Sequence, residues 1–147
     1  MVTTKKRNSS RPRPTSFEVR VPGSSSNLGA GFDCFGLALK IYLTIRATIR
    51  PPGKEKCRVR TTGESTALPR NETNLIYRAM VFTAFRLGVE LPPLDLAVHN
   101  EIPLASGLGS SAAAIVGGIK LCGLITNQTL SDKTVLTYAA TFEGHPD

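Results

Sequence analysis

Residues 103–113 read Pro103-Leu104-Ala105-Ser106-Gly107-Leu108-Gly109-Ser110-Ser111-Ala112-Ala113. A strand-like run, Leu94 to Ile102, leads into this segment, and a small-residue helix from Ser111 to Leu124 leaves it. Gly107 and Gly109 leave the backbone unshielded, so main-chain N–H groups can turn toward one point. A helix N-terminus adds unpaired donors and the positive end of a dipole. Two serine hydroxyls, Ser110 and Ser111, stand where they could reach a phosphate or a metal ion. Together these features suit a phosphate cradle. It is not the common P-loop, because no Lys follows the second glycine. On glycine and serine alone, a plain turn before a buried helix competes equally with the cradle.

Other candidates are scattered along the chain. Asn27 and Asp33 lie six apart in a Gly/Ser-rich stretch, and by themselves would each cap a turn. Glu143 near the end of a helical segment reads, alone, as a solvated carboxylate. His99, at the end of a strand, reads as an ordinary surface or packing residue.

Three blocks taken together carry a resemblance. The segment Pro103–Ala112 resembles the ATP-binding motif of the GHMP kinases, the galactose, homoserine, mevalonate and phosphomevalonate kinase superfamily. Val21-Pro-Gly-Ser-Ser-Ser-Asn27-Leu-Gly-Ala-Gly-Phe-Asp33-Cys-Phe-Gly36 is similar to the N-terminal motif of the homoserine kinase branch. It lacks the Gly-Glu-His type ending of the sugar and mevalonate branches. Glu143-Gly-His145-Pro-Asp147 resembles a third segment, Glu-Gly-His-Pro-Asp-Asn, of many homoserine kinases.

The resemblance implies ATP-dependent phosphorylation of the L-homoserine hydroxyl to O-phospho-L-homoserine, a step of threonine biosynthesis. ATP and Mg²⁺ are the implied cofactors. Residues 103–113 would hold the nucleotide phosphates, and Asn74 matches a position near the adenine. Ser111 and Glu143 would hold Mg²⁺, an ion that takes oxygen ligands from one or two protein groups plus phosphate and water. Asn27, Asp33 and His145 would bind the substrate. Asp33 would face the ammonium and could orient the reacting hydroxyl, which makes it the catalytic candidate; an amide such as Asn27 suits the hydroxyl. Homoserine kinases are about twice this long, so the resemblance also implies an N-terminal portion of a larger enzyme. Two alternatives stand beside it: a GHMP kinase for another small alcohol, such as shikimate or a sugar, and a non-catalytic nucleotide-binding module.

The elements that must position these residues follow from pattern. Phe17 to Val21 alternates and predicts a first strand. The Gly/Ser-rich segment 23–36 predicts a wrapping loop. Ile41 to Ile49 is β-branched, stops at Pro51-Pro52-Gly53, and predicts a strand with Cys57–Thr62 as its hairpin partner. Leu75 to Leu87 has helical spacing, with Thr73 or Asn74 as N-cap and Gly88 as terminator. Leu94 to His99 predicts another strand. Ser131 caps a last helix running to about Phe142. The fold class is α+β, a mostly antiparallel sheet with helices packed on one face.

Length and charge set the remaining bounds. The 147 residues carry a net charge of +7. Residues 1–20 hold Lys5, Lys6, Arg7, Arg11, Arg13 and Arg20 against Glu18, so most of the excess sits there. Residues 1–16 lack apolar periodicity and predict a disordered basic tail, with the domain at 17–147. No aromatics interleave the tail's charges, which argues against a nucleic-acid arm. Cys34, Cys57 and Cys122 form no C-x-x-C pair, which argues against a zinc or disulfide framework and predicts a reducing, cytoplasmic setting. The apolar stretch Ala112–Ile125 is too short for a membrane span. Homoserine and ATP are the expected partners, with no nucleic acid and no membrane; a homodimer of the full-length enzyme is compatible with this reading.

Overall fold

Alternation of apolar and polar residues builds the sheet, and the computed structural model describes it over residues 15–64 and 68–144. Strand β1 (Ser16–Leu28) turns at Gly29–Ala30 into β2 (Gly31–Ile49), and the two pair antiparallel. Then follow β3 (Cys57–Gly63), helix α1 (Leu75–Leu87), β4 (Leu94–Asn100), α2 (Ser110–Ile125) and α3 (Asp132–Glu143). The strand order is β1-β2-β4-β3. β2 pairs β4 antiparallel, whereas β3 pairs β4 in parallel.

One sheet face is apolar and the other polar, as the period-two geometry of a strand requires. Leu43, Ile45 and Ala47 of β2, Cys57 and Val59 of β3, and Leu94, Leu96 and Val98 of β4 are buried on the inner face. Arg46 and Glu18 pair on the outer face, and Arg20 stacks over Tyr42. Helices α1 and α2 cover the inner face, and α3 packs on both helices. α2 is buried nearly all round because it lies between the sheet and its two neighbours. Gly117 and Gly118 allow this approach. A Cβ at Gly117 would stand 2.5 Å from Ile45 Cδ1, and one at Gly118 would stand 2.5 Å from the Ile76 carbonyl oxygen.

Two expectations need correction. Segment 23–36 is not a wrapping loop but the outer half of a long β1–β2 hairpin, with register shifts at Pro22/Ser24 and Ser26/Leu28. Low strand propensity hid it; the pairing with β2 supplies what local sequence lacks. Cys57–Thr62 is not the hairpin partner of β2, because β4 lies between them and joins β3 by a crossover through α1. The first strand opens at Ser16, beside its predicted start at Phe17, and the Thr15 carbonyl accepts from Ile49 N–H at 2.8 Å. Residues 1–14, most of the expected tail, lie outside the described residues.

Candidate functional site

The loop from Pro103 to Gly109 is held in a shape that side chains disfavour. Ala105, Gly107 and Gly109 have φ of 54°, 72° and 73°. Left-handed backbone is natural for glycine and strained for Ala105. Ser106 Oγ donates to the Pro103 carbonyl at 2.8 Å and closes the loop's first half. Asn100 closes its base, donating through Nδ2 to the Ile102 carbonyl at 2.9 Å and accepting from Ile102 N–H at 3.1 Å.

The loop is also clasped from the side by the hairpin. Ser24 N–H donates to the Leu108 carbonyl at 3.0 Å. A Cβ at Gly109 would stand 2.5 Å from Ser24 Oγ and 3.1 Å from its carbonyl oxygen. The second glycine is therefore required twice, by its φ and by the hairpin pressed against it.

Helix α2 starts at Ser110 with Gly109 as N-cap, and no side chain caps it. By contrast, Asn74 Oδ1 accepts from Ile76 N–H at the start of α1, and Ser131 accepts from Thr134 N–H at the start of α3. The leading N–H groups of α2 carry the positive end of the helix dipole and can receive an anion. Ser110 is half-buried and Ser111 exposed at this end.

A cavity of about 380 Å³ opens beside them. Leu43, Thr61 and Val98 form its floor. Leu68, Pro69 and the start of α1, including Asn74, form one wall. Leu104, Ala105, Ser110, Ser111 and Ala114 form the other. Asn74, 3% exposed, is held on both sides, since Nδ2 also donates to the Pro69 carbonyl at 2.8 Å. Its volume falls in the range of small-molecule pockets, roughly 300–1,000 Å³. The lining is mostly apolar with hydroxyls at one end, which fits a flat ring bearing a polar tail.

Glu143 lies at the end of α3, the outer helix of the layer. Lys120 Nζ stands 3.3 Å from Asp132 Oδ1, tying the start of α3 to the far half of α2. Arg86 stacks on Tyr138 and Arg78 on Phe142, so α3 runs back along the helices. Lys120 to Ser111 and Asp132 to Glu143 are similar lengths of helix, roughly 14 and 17 Å at 1.5 Å per residue. Glu143 is the last residue of α3, and Gly144 in left-handed conformation closes the helix by donating to the Ala140 carbonyl. The uncapped N–H donors and the two hydroxyls at the start of α2 fit the phosphates of a nucleotide.

Asn27 lies in β1 and Asp33 in β2, on opposite arms of the hairpin tip around Gly29–Ala30. His145 lies outside the described residues. His99 is exposed on the polar sheet face with Nδ1 3.0 Å from Thr62 Oγ1, away from the cavity. Sequence reasoning missed Ser24, Asn100, Leu68 and Pro69. Only Asn100, a polar residue closing an alternating strand, left a local signal.

Residues 74–147 match the GHMP kinases N terminal domain. The chain belongs to the GHMP kinase family. It is 46% identical over 140 residues to a homoserine kinase of Deinococcus radiodurans, covering 95% of this chain and 44% of that protein. A homoserine kinase of Halalkalibacterium halodurans is 41% identical, with 89% and 41% covered. The crystal structure of a homoserine kinase from Cytophaga hutchinsonii superimposes with a TM-score of 0.73 at 26% identity, covering 90% of this chain and 42% of that one. A Methanococcus jannaschii mevalonate kinase shares the fold at 18% identity, with a TM-score of 0.70 over 91% of this chain and 49% of that one. The chain spans less than half the length of these homoserine kinases. Among the described residues, no helix is long and apolar enough to cross a membrane.

Proposed function

We propose that this GHMP kinase chain supplies the nucleotide-binding part of an ATP:L-homoserine phosphotransferase. The observation that carries the reading is the joining of an uncapped, glycine-looped helix start to a base-sized cavity and to the Asn27/Asp33 hairpin. The relatives named homoserine kinase support the choice of alcohol.

The adenine enters the cavity beside Asn74, between Leu68–Pro69 and Leu104–Ala105. The triphosphate runs toward residues 107–111, whose N–H groups neutralise its charge without side-chain cost. Ser111 and Glu143 would hold Mg²⁺, which when bound would offset the negative charge of the phosphate oxygens. Asp33 faces the ammonium of homoserine, and Asn27 its hydroxyl. The hydroxyl oxygen attacks the γ-phosphorus in line, the bond to the β–γ bridging oxygen breaks, ADP leaves, and the hydroxyl proton passes to solvent. Phosphoryl transfer depends on such positioning and charge neutralisation more than on covalent help from the protein. The free thiols suit a reducing compartment, so we assign the reaction to the cytoplasm.

A substrate panel tests the reading. With the full-length protein and Mg–ATP, ADP release is expected with homoserine at a kcat/KM far above that with shikimate, galactose or mevalonate. Preference for any other alcohol would replace homoserine, and nucleotide binding without any turnover would favour a binding module.

A further inference from the structure

Asn100, the last residue of β4, is 1% exposed, and a buried amide must satisfy both its ends. Its oxygen accepts from Ile102 N–H and its nitrogen donates to the Ile102 carbonyl, so the amide has one orientation only. The second Nδ2 hydrogen points to Ser110 Oγ at 3.4 Å, the long end of the hydrogen-bond range. An amide nitrogen donates and never accepts, so Ser110 Oγ must spend a lone pair on it. The single Ser110 hydrogen is left to face elsewhere, and no other partner takes it among the described residues. Ser110 also lines the cavity at the uncapped start of α2.

We propose that Asn100 is a positioning residue that presets Ser110 as a hydroxyl donor to the phosphate chain of the nucleotide. The inference rests on the ATP-binding reading above and deepens it. It divides the two serines: Ser111 turns an oxygen to the cation, while Ser110 turns a hydrogen to a phosphate oxygen. Asn100 also lies where the strand ladder ends, its carbonyl accepting from Glu64 N–H at 2.9 Å. The rigid sheet thus sets the direction of one hydroxyl.

Asn100→Asp keeps the size and the acceptor for Ile102 but replaces the donor with an acceptor, which draws the Ser110 hydrogen inward. Calorimetric titration of the full-length protein with Mg–ATP and with adenosine reads the effect. Asn100→Asp and Ser110→Ala are each expected to weaken Mg–ATP about tenfold, as for one hydrogen bond to a charged group. Adenosine affinity should stay within about twofold, since the base subsite is untouched. The double variant should lose no more than either single one. Repulsion between a new carboxylate and phosphate would act with or without the Ser110 hydroxyl, so additive losses overturn the proposal. Equal losses for adenosine and Mg–ATP overturn it too, because a merely structural role predicts them. If Asn100→Asp does not fold, Ser110→Ala decides alone: a selective loss of Mg–ATP supports the proposal and parent affinity overturns it. Absence of Mg–ATP binding by the parent would remove the proposed function, and this inference with it.

Discussion

Single atoms decide whether the phosphate loop can form. Gly109 has no room for a side chain on the side where Ser24 presses, and its φ of 73° disfavours one in any case. Gly109→Val should therefore cost stability as well as nucleotide affinity, by about 1–2 kcal/mol or more from backbone conformation alone. Denaturant unfolding beside an ATP titration checks this; unchanged stability with lost affinity would mean that only the phosphate meets this glycine. The glycine was legible in the sequence, whereas its contact with Ser24, 85 positions away, was not, because no local pattern encodes a long-range clasp. The buried thiols give a second residue-scale test. Burial pushes Cys57 up to about 12 and Cys122 up to about 11 from an ordinary value of 9.0. The unfolded chain then loses these protons first as pH rises. Their contribution to stability is complete below pH 9 and falls between pH 9 and about 12. Melting curves should show a decline above pH 9 that is shallower in Cys57→Ala than in the parent, after correction to equal stability at pH 8. Identical slopes would contradict the buried-thiol account. Exposed Cys34 should react with a thiol reagent at pH 8 well before the other two.

At the level of elements, what the sequence made legible was local. α1 has the bounds and caps that its spacing predicts, because Asn74, the apolar stripe and Gly88 all lie within one short segment. α2 and α3 differ from expectation only at their ends. The partner of β3 was not legible, since alternation says which face a strand buries but not which strand lies beside it. Nor was the close contact of α1 and α2, which depends on Gly118 meeting the Ile76 backbone rather than on any periodicity. This contact sets Asn74 beside Ser110 and Ser111, so it links packing to the cavity. Gly118→Ala would drive a methyl against a carbonyl oxygen that cannot rotate away, and should cost about 1–3 kcal/mol. Gly53→Ala, where a Cβ would meet nothing within 4 Å, is the control and should be near neutral. Chemical denaturation of both variants measures the difference; equal stabilities would mean that the helices have slack there.

Over the whole molecule, the site is a junction between two elements far apart in sequence. The β1–β2 hairpin carries Asn27 and Asp33 at its tip, and its middle is bonded to the phosphate loop through Ser24 and Leu108. We assign the hairpin tip to the alcohol and the loop to the nucleotide, with the Ser24–Leu108 clasp set back from the tip. The net positive charge does not carry this assignment, because most of the excess lies in residues 1–20. A change of charge at the tip that leaves this clasp in place predicts separable kinetics. Asp33→Asn removes the charge for the homoserine ammonium while nearly keeping the shape. A lost charge-assisted hydrogen bond is worth about 1.5–3 kcal/mol, or roughly tenfold or more in kcat/KM. Steady-state kinetics of the full-length Asp33→Asn protein, with ATP and homoserine both varied, is the most direct test. The expected result is a kcat/KM for homoserine lowered tenfold or more with the KM for ATP unchanged. A raised KM for ATP with the homoserine KM at its parent value would contradict it.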